Sequence, residues 1–137
     1  MNPLKKTIYI LDAQSLTALT TARAIEGSFN CVGIHLKGCE NYSSLLSKSW
    51  SQLIPIVDLS IAALNVLIEI AKSHALLYQE KPILLTATDD GVLFLSEHEK
   101  TLSEFYIIPI PDVTTLNTLM DKSLFYQWAA EHNLPIV

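Results

Sequence analysis

Glycine is scarce in this chain of 137 residues, and none of the four present falls in "DAQSLTALTTAR", the segment that follows the first apolar run. A dinucleotide-binding fold would carry G-x-G-x-x-G there, because only glycines let the backbone come close to a pyrophosphate. NAD and FAD are therefore disfavoured. Cysteine is scarcer: Cys31 and Cys39 are eight apart with no second pair, and His35 between them is a lone histidine, which matches neither a disulfide framework nor a zinc site and reads as reduced thiols of a cytoplasmic protein. Positive charge is thin as well. Nine Lys and Arg against fourteen Asp and Glu leave a net charge of -5, with no basic cluster to track a phosphate backbone, so nucleic acid is not an expected partner. His35, His74, His98 and His132 are scattered without an i, i+4 pair, so no metal site is expected. The chain contains no G-x-S-x-G, H-E-x-x-H or P-loop sequence. Its first apolar run is too short for a signal-peptide core.

What is present is apolar. Half of the residues are hydrophobic and 17% are charged, a composition for one compact domain with no disordered tail. The positive mean hydropathy suggests apolar surface that meets a partner. The longest apolar stretch, "LSIAALNVLIEIAKSHALLY", is interrupted by Asn65, Glu69, Lys72 and His74, each costly in hydrocarbon, and so reads as a buried helix and not as a membrane span. Ile61, Leu64, Val66, Leu67, Ile68 and Ile70 cover more than one of its faces. One face should pack on a sheet, and another is a candidate homodimer surface over residues 59–78.

The order of elements is that of an α/β domain. "KTIYILDA" reads as a strand, "SLTALTTARAIEG" as a helix begun by a Ser15 cap and ended by Gly27, and "NCVGIHL" as a second strand, a βαβ unit. Residues 37–51 form a polar loop with room for a short helical turn. "QLIPIVD" is a weak strand that Pro55 confines to an edge. The long helix follows, capped by Asp58 or Ser60. "KPILLTA" is the clearest strand, "GVLFLSEHEKTLSE" a helix, "FYIIPIP" a further strand, and Asp112 and Asp121 cap two final helices. Alternating strands and helices imply a mostly parallel, three-layer sheet, whose ligands bind outside the carboxyl ends of the strands. The loops Asp12–Ser15, His35–Lys37 and Thr86–Asp90 occupy that edge.

Within those loops the candidate substrate-binding residues are Asp12, Ser15, Thr88, Asp89 and Asp90. The free N–H groups of the helix after Ser15 could receive a carboxylate or phosphate; the ordinary reading is a Ser cap beside a solvated Asp12. Asp89 and Asp90 could hold an ammonium group or a magnesium ion, or simply cap a helix and complement its dipole. No catalytic constellation is recognisable within the chain.

Three segments carry a resemblance. "TLMDKSLFYQWAAEHNLPIV", with its Asp121-Lys122 pair opening a helix, resembles the junction of ATP-grasp enzymes where an N-terminal domain hands over to the nucleotide-binding part. "LLTATDDGVLFLSEHEKTLSEFYIIPIPD" and "YILDAQSLTALTTARAI" are similar to the corresponding parts of carboxylate-amine ligases of that family, so the likeness spans most of the chain outside residues 37–58. The resemblance implies a Rossmann-like pre-ATP-grasp domain over residues 1–120. Residues 121–137 would then start the passage into ATP-grasp lobes, with Ile136-Val137 opening an extended segment. It further implies a ligase that uses ATP and Mg2+ to activate a carboxylate and join it to an amine. Lys122 is the residue it points to for contacting ATP phosphates. ATP, magnesium and the catalytic groups would belong to the lobes, leaving this stretch inactive alone, either as an excised piece or as a short natural protein. The alternative is a stand-alone module for small-molecule binding or dimerisation. A receiver-type domain fits less well, since the first strand ends on Asp12 alone.

Overall fold

The computed structural model describes residues 1–2 and 5–135; the extended segment expected at Ile136-Val137 lies outside them. Four strands, β1 (Lys6–Leu11), β2 (Phe29–Leu36), β3 (Trp50–Ile56) and β4 (Ile83–Leu85), form one all-parallel sheet in the order β3-β2-β1-β4. Among the described residues six helices accompany them: α1 (Leu16–Ile25), α2 (Ile61–Tyr78), α3 (Asp89–Glu97), α4 (Glu99–Leu102), α5 (Val113–Met120) and α6 (Lys122–Glu131). This is a Rossmann-like three-layer α/β fold.

Period-two alternation builds the layers. Tyr9, Leu11, Val32 and Ile34 point to the α2 face, where they meet Ala63, Leu67, Leu95 and Tyr106. Ile8, Ile10 and Cys31 point the other way, onto Ala18, Leu19, Ala22 and Trp50. Gly33 in β2 serves a close approach on this second face, where a Cβ would come within 2.7 Å of Ala13 Cβ and 2.8 Å of Leu53 Cδ2. The polar loop before β3 contains a single 3-10 turn at Ser43–Leu46, tied down by Ser44 Oγ donating to the Gln14 carbonyl at 2.6 Å and Trp50 Nε1 donating to the Ser44 carbonyl at 2.8 Å.

Helix caps follow the local chemistry. Ser15, Ser60, Asp112 and Asp121 each cap the helix expected of them, satisfying N–H groups that the first turn leaves without intrahelical partners. Pro55 lies in the edge strand β3, paired with His35, where its missing N–H costs no central ladder bond. Gly27 does not end α1 in a left-handed conformation; Glu26 closes the helix with its N–H on the Ala22 carbonyl.

Three expectations are corrected. "FYIIPIP" is not a fifth strand among the described residues, because only Ile107 bridges Ile83, with Ile107 N donating to the Pro82 carbonyl at 2.9 Å. Pro109 and Pro111 have no N–H with which to extend the ladder. "KPILLTA" shrinks to three residues in β4. The long apolar helix is not buried all round: α2 is long and apolar enough by composition to cross a membrane, yet it buries Ala63, Leu64, Leu67, Ala71 and His74 on the sheet side and leaves much of the rest exposed. Leu76 and Leu77 are 84% and 76% exposed.

Candidate functional site

The strand order reverses direction at β1, whose neighbours are β2 on one side and β4 on the other. Chains that diverge from two adjacent parallel strands leave a crevice at their carboxyl ends. A cavity of about 490 Å3 lies there, lined by residues that include Asp12, Gln14, Ser15, Asp58, Thr88 and Asp90.

Each wall has a local cause. Asp12 leaves β1 in a left-handed conformation, φ 54°, one that Asp tolerates better than most residues. Its carbonyl accepts Ser15 N–H at 2.8 Å, and Ser15 Oγ then accepts Ala18 N–H at 3.1 Å to start α1. Asp12 is 6% exposed, so the expected solvated carboxylate is replaced by a buried one with two protein partners. Thr88 Oγ1 donates to Oδ2, and Gln14 Nε2 donates to Oδ1 at 3.3 Å. Gln14 also accepts Leu36 N–H through Oε1 at 3.2 Å, linking the ends of β1 and β2.

On the opposite wall Thr88, and neither Asp89 nor Asp90, caps α3: its Oγ1 accepts Gly91 N–H at 3.1 Å. Asp89 and Asp90 occupy the exposed first turn, where negative charge complements the helix dipole. Asp90 lines the cavity and Asp89 does not. Gly91 packs so tightly that a Cβ would fall 1.9 Å from Thr86 Oγ1 and 2.9 Å from Asp12 Oδ2.

The fold thus brings Asp12, Ser15, Thr88 and Asp90 to one cavity and adds Gln14, Glu97 and Asp58, the last considered in the sequence reading only as a helix cap. Gln14 was within reach of that reading, since it sits inside the Asp12–Ser15 loop. Asp58 and Glu97 become neighbours only through the crossings of α2 and α3. His35, expected in the second loop, instead lies in β2, paired with Pro55, and is buried with Nδ1 donating to the Leu36 carbonyl at 2.9 Å. Lys122 lies in the exposed first turn of α6, away from this cavity's lining.

The lining includes four carboxylates, Asp12, Asp58, Asp90 and Glu97, and no Lys or Arg. Such a lining can accept hydrogen bonds from an ammonium or amine group and offers no cation to a phosphate or carboxylate. Among the described residues no group of three or more His, Cys, Asp or Glu side chains is placed to hold a metal ion.

No family model matches the chain. It is 27% identical over 84 residues to a D-aspartate ligase of Enterococcus faecium (strain Aus0004), an alignment that covers 61% of this chain and 20% of that protein. The match therefore spans about a fifth of the length of that curated relative. At the general level this likeness points to ligases.

Proposed function

We propose that this chain is the Rossmann-like N-terminal domain, residues 1–120, of a cytoplasmic ATP-grasp-type ligase that joins a carboxylate to an amine, with residues 121–137 leading towards the lobes that bind ATP. The observation that carries the reading is the carboxyl-end cavity, whose acidic lining of Asp12, Asp58, Asp90 and Glu97 suits the amine partner. The likeness to a D-aspartate ligase supports the same reaction class and makes D-aspartate the first carboxylate to try. In such a reaction ATP activates the carboxylate and the amine nitrogen displaces phosphate from the acyl carbon.

The described residues do not fit ATP or magnesium. The cavity lacks a basic side chain, no acidic cluster is placed for a metal, and the turn before α1 has no glycine. Both therefore belong, in this proposal, to the lobes, with Lys122 as the contact nearest to them. This domain binds and orients the amine through Ser15, Thr88, Asp90 and the buried Asp12, and it is inactive alone. The test has two parts: the intact mass of the native gene product, and its release of ADP. A mass of roughly 40 to 50 kDa, the size of this domain with two more, and ADP release that needs both D-aspartate and an amine are the expected results. Release that ignores the amine would sink the proposal.

A second reading rests on α2, where Ile61, Leu76 and Leu77 lie on the surface: a stand-alone module that dimerises through residues 59–78. A native mass of 15.2 kDa together with sedimentation as a dimer would favour it. A strict monomer at high concentration would remove it.

A further inference from the structure

One feature on the α2 face lies beyond the ligase reading. The loop from β2 to β3 packs on the α1 side, so over β3 the opposite face of the sheet is left mainly to α2 among the described elements. A groove of about 620 Å3 remains between them, floored by Thr7, Tyr9 and Ile54 and walled by Val66, Ile70 and Leu77. That volume is in the range of small-molecule sites, roughly 300–1,000 Å3.

His74 also lines this groove. It is 3% exposed, and its Nε2 has no hydrogen-bond partner among the described residues. Its Nδ1 lies 3.2 Å from Tyr9 Oη. Burial pushes the Tyr9 hydroxyl up and the His74 imidazole down from their ordinary values, so both are neutral near pH 7. If Nδ1 donated to Tyr9, the phenolic proton and the Nε2 lone pair would both be stranded. With the phenol donating to Nδ1, the single orphan is an N–H on Nε2, and buried donors of that kind call for a partner.

We infer that this groove binds a neutral, largely apolar small molecule whose carbonyl or ether oxygen accepts a hydrogen bond from His74 Nε2. Among the described residues of the lining Glu69 is the only charged side chain, and it already pairs with Lys72 at 2.9 Å, so no lining side chain offers an anion a positive charge. Nε2 is closed to water, so the acceptor enters with a side-chain displacement, which we assign to Tyr78, whose ring lies 4.6 Å from the imidazole and which is half exposed at the end of α2.

The test uses Nile red, a neutral planar probe with a carbonyl acceptor. Titration of the whole chain should show saturable fluorescence at one probe per chain, with a displaced His74 Nε2 resonance in nitrogen-15 NMR. His74→Phe keeps the ring and removes the donor, and it should weaken binding by roughly tenfold, the scale of one lost hydrogen bond to a buried group. Val66→Trp, at a partly exposed position on the wall, should abolish binding; Trp128→Ser, on α6, should leave it unchanged. Absence of saturable binding, an unmoved Nε2 resonance, equal affinity in Val66→Trp, or one probe per two chains with dimer formation would each overturn the inference. The Val66→Trp arm decides it even where His74→Phe fails to fold.

Discussion

Thr88 Oγ1 donates to Asp12 Oδ2 across 76 residues of sequence, while the same oxygen accepts Gly91 N–H. One hydroxyl thus caps α3 and satisfies the buried carboxylate at the end of β1. Helix start and site wall are therefore a single mechanical unit. Thr88→Val keeps the shape and removes both bonds, so urea unfolding should show a loss of roughly 1–3 kcal/mol, the sum of a cap and a buried acceptor left short of a donor. Thr88→Ser should retain most of the stability. Equal midpoints for the Val and Ser variants would show that the hydroxyl does not bridge the two walls.

Gly91 is required by contact, since its φ is not in the left-handed region. Alanine there meets Thr86 Oγ1 at 1.9 Å, and overpacking of this kind costs roughly 1–3 kcal/mol. Adding Thr86→Ala to Gly91→Ala should recover part of the loss in thermal melts, because the nearest clash disappears while Thr86 Cβ and Asp12 Oδ2, both at 2.9 Å, remain. Strict additivity of the two substitutions would contradict the assigned clash.

Burial holds the His74 imidazole below its ordinary value of 6.5, against the opposing charge of Glu80. The unfolded chain therefore binds the proton first, and stability falls as pH drops from about 6.5 through the folded value. Denaturant midpoints measured from pH 7.5 to 5 should decline more steeply for the natural chain than for His74→Phe. Parallel curves would place the acid sensitivity elsewhere.

On the proposed reading, Asp89 and Asp90 are separable in the full-length protein. Asp90→Ala should raise the KM for the amine roughly two- to fivefold with kcat unchanged, the scale of an exposed ion pair worth up to ~1 kcal/mol. Asp89→Ala, outside the cavity, should leave it alone, and Lys122→Ala should act on the KM for ATP. An equal effect of both aspartate substitutions on the amine would mean that they act through the dipole of α3 and not by contact.

Much of the architecture was legible because its causes are local. Alternation in "KTIYIL" and "FNCVGIHL", hydroxyl and carboxylate caps at Ser15, Ser60, Asp112 and Asp121, and Pro55 at an edge are all decided within a few residues. The strand expected at "FYIIPIP" failed because two prolines removed the donors that a ladder needs. The orphan imidazole was half visible: Ala63, Leu67, Ala71 and His74 share one helical stripe by spacing, but its hydrogen-bonded partner Tyr9 is 65 residues away.

By itself, then, the sequence determined the alternation of strands and helices, the helix starts, and which loops reach the carboxyl edge of a parallel sheet, since these depend on period, capping and φ preference over short spans. Only the tertiary structure decided that Asp12 is buried and held by Thr88, that Asp90 faces the cavity while Asp89 does not, and that α2 leaves a groove over β3. Those outcomes depend on where separate elements cross, and long-range packing sets that through contacts which no local pattern encodes.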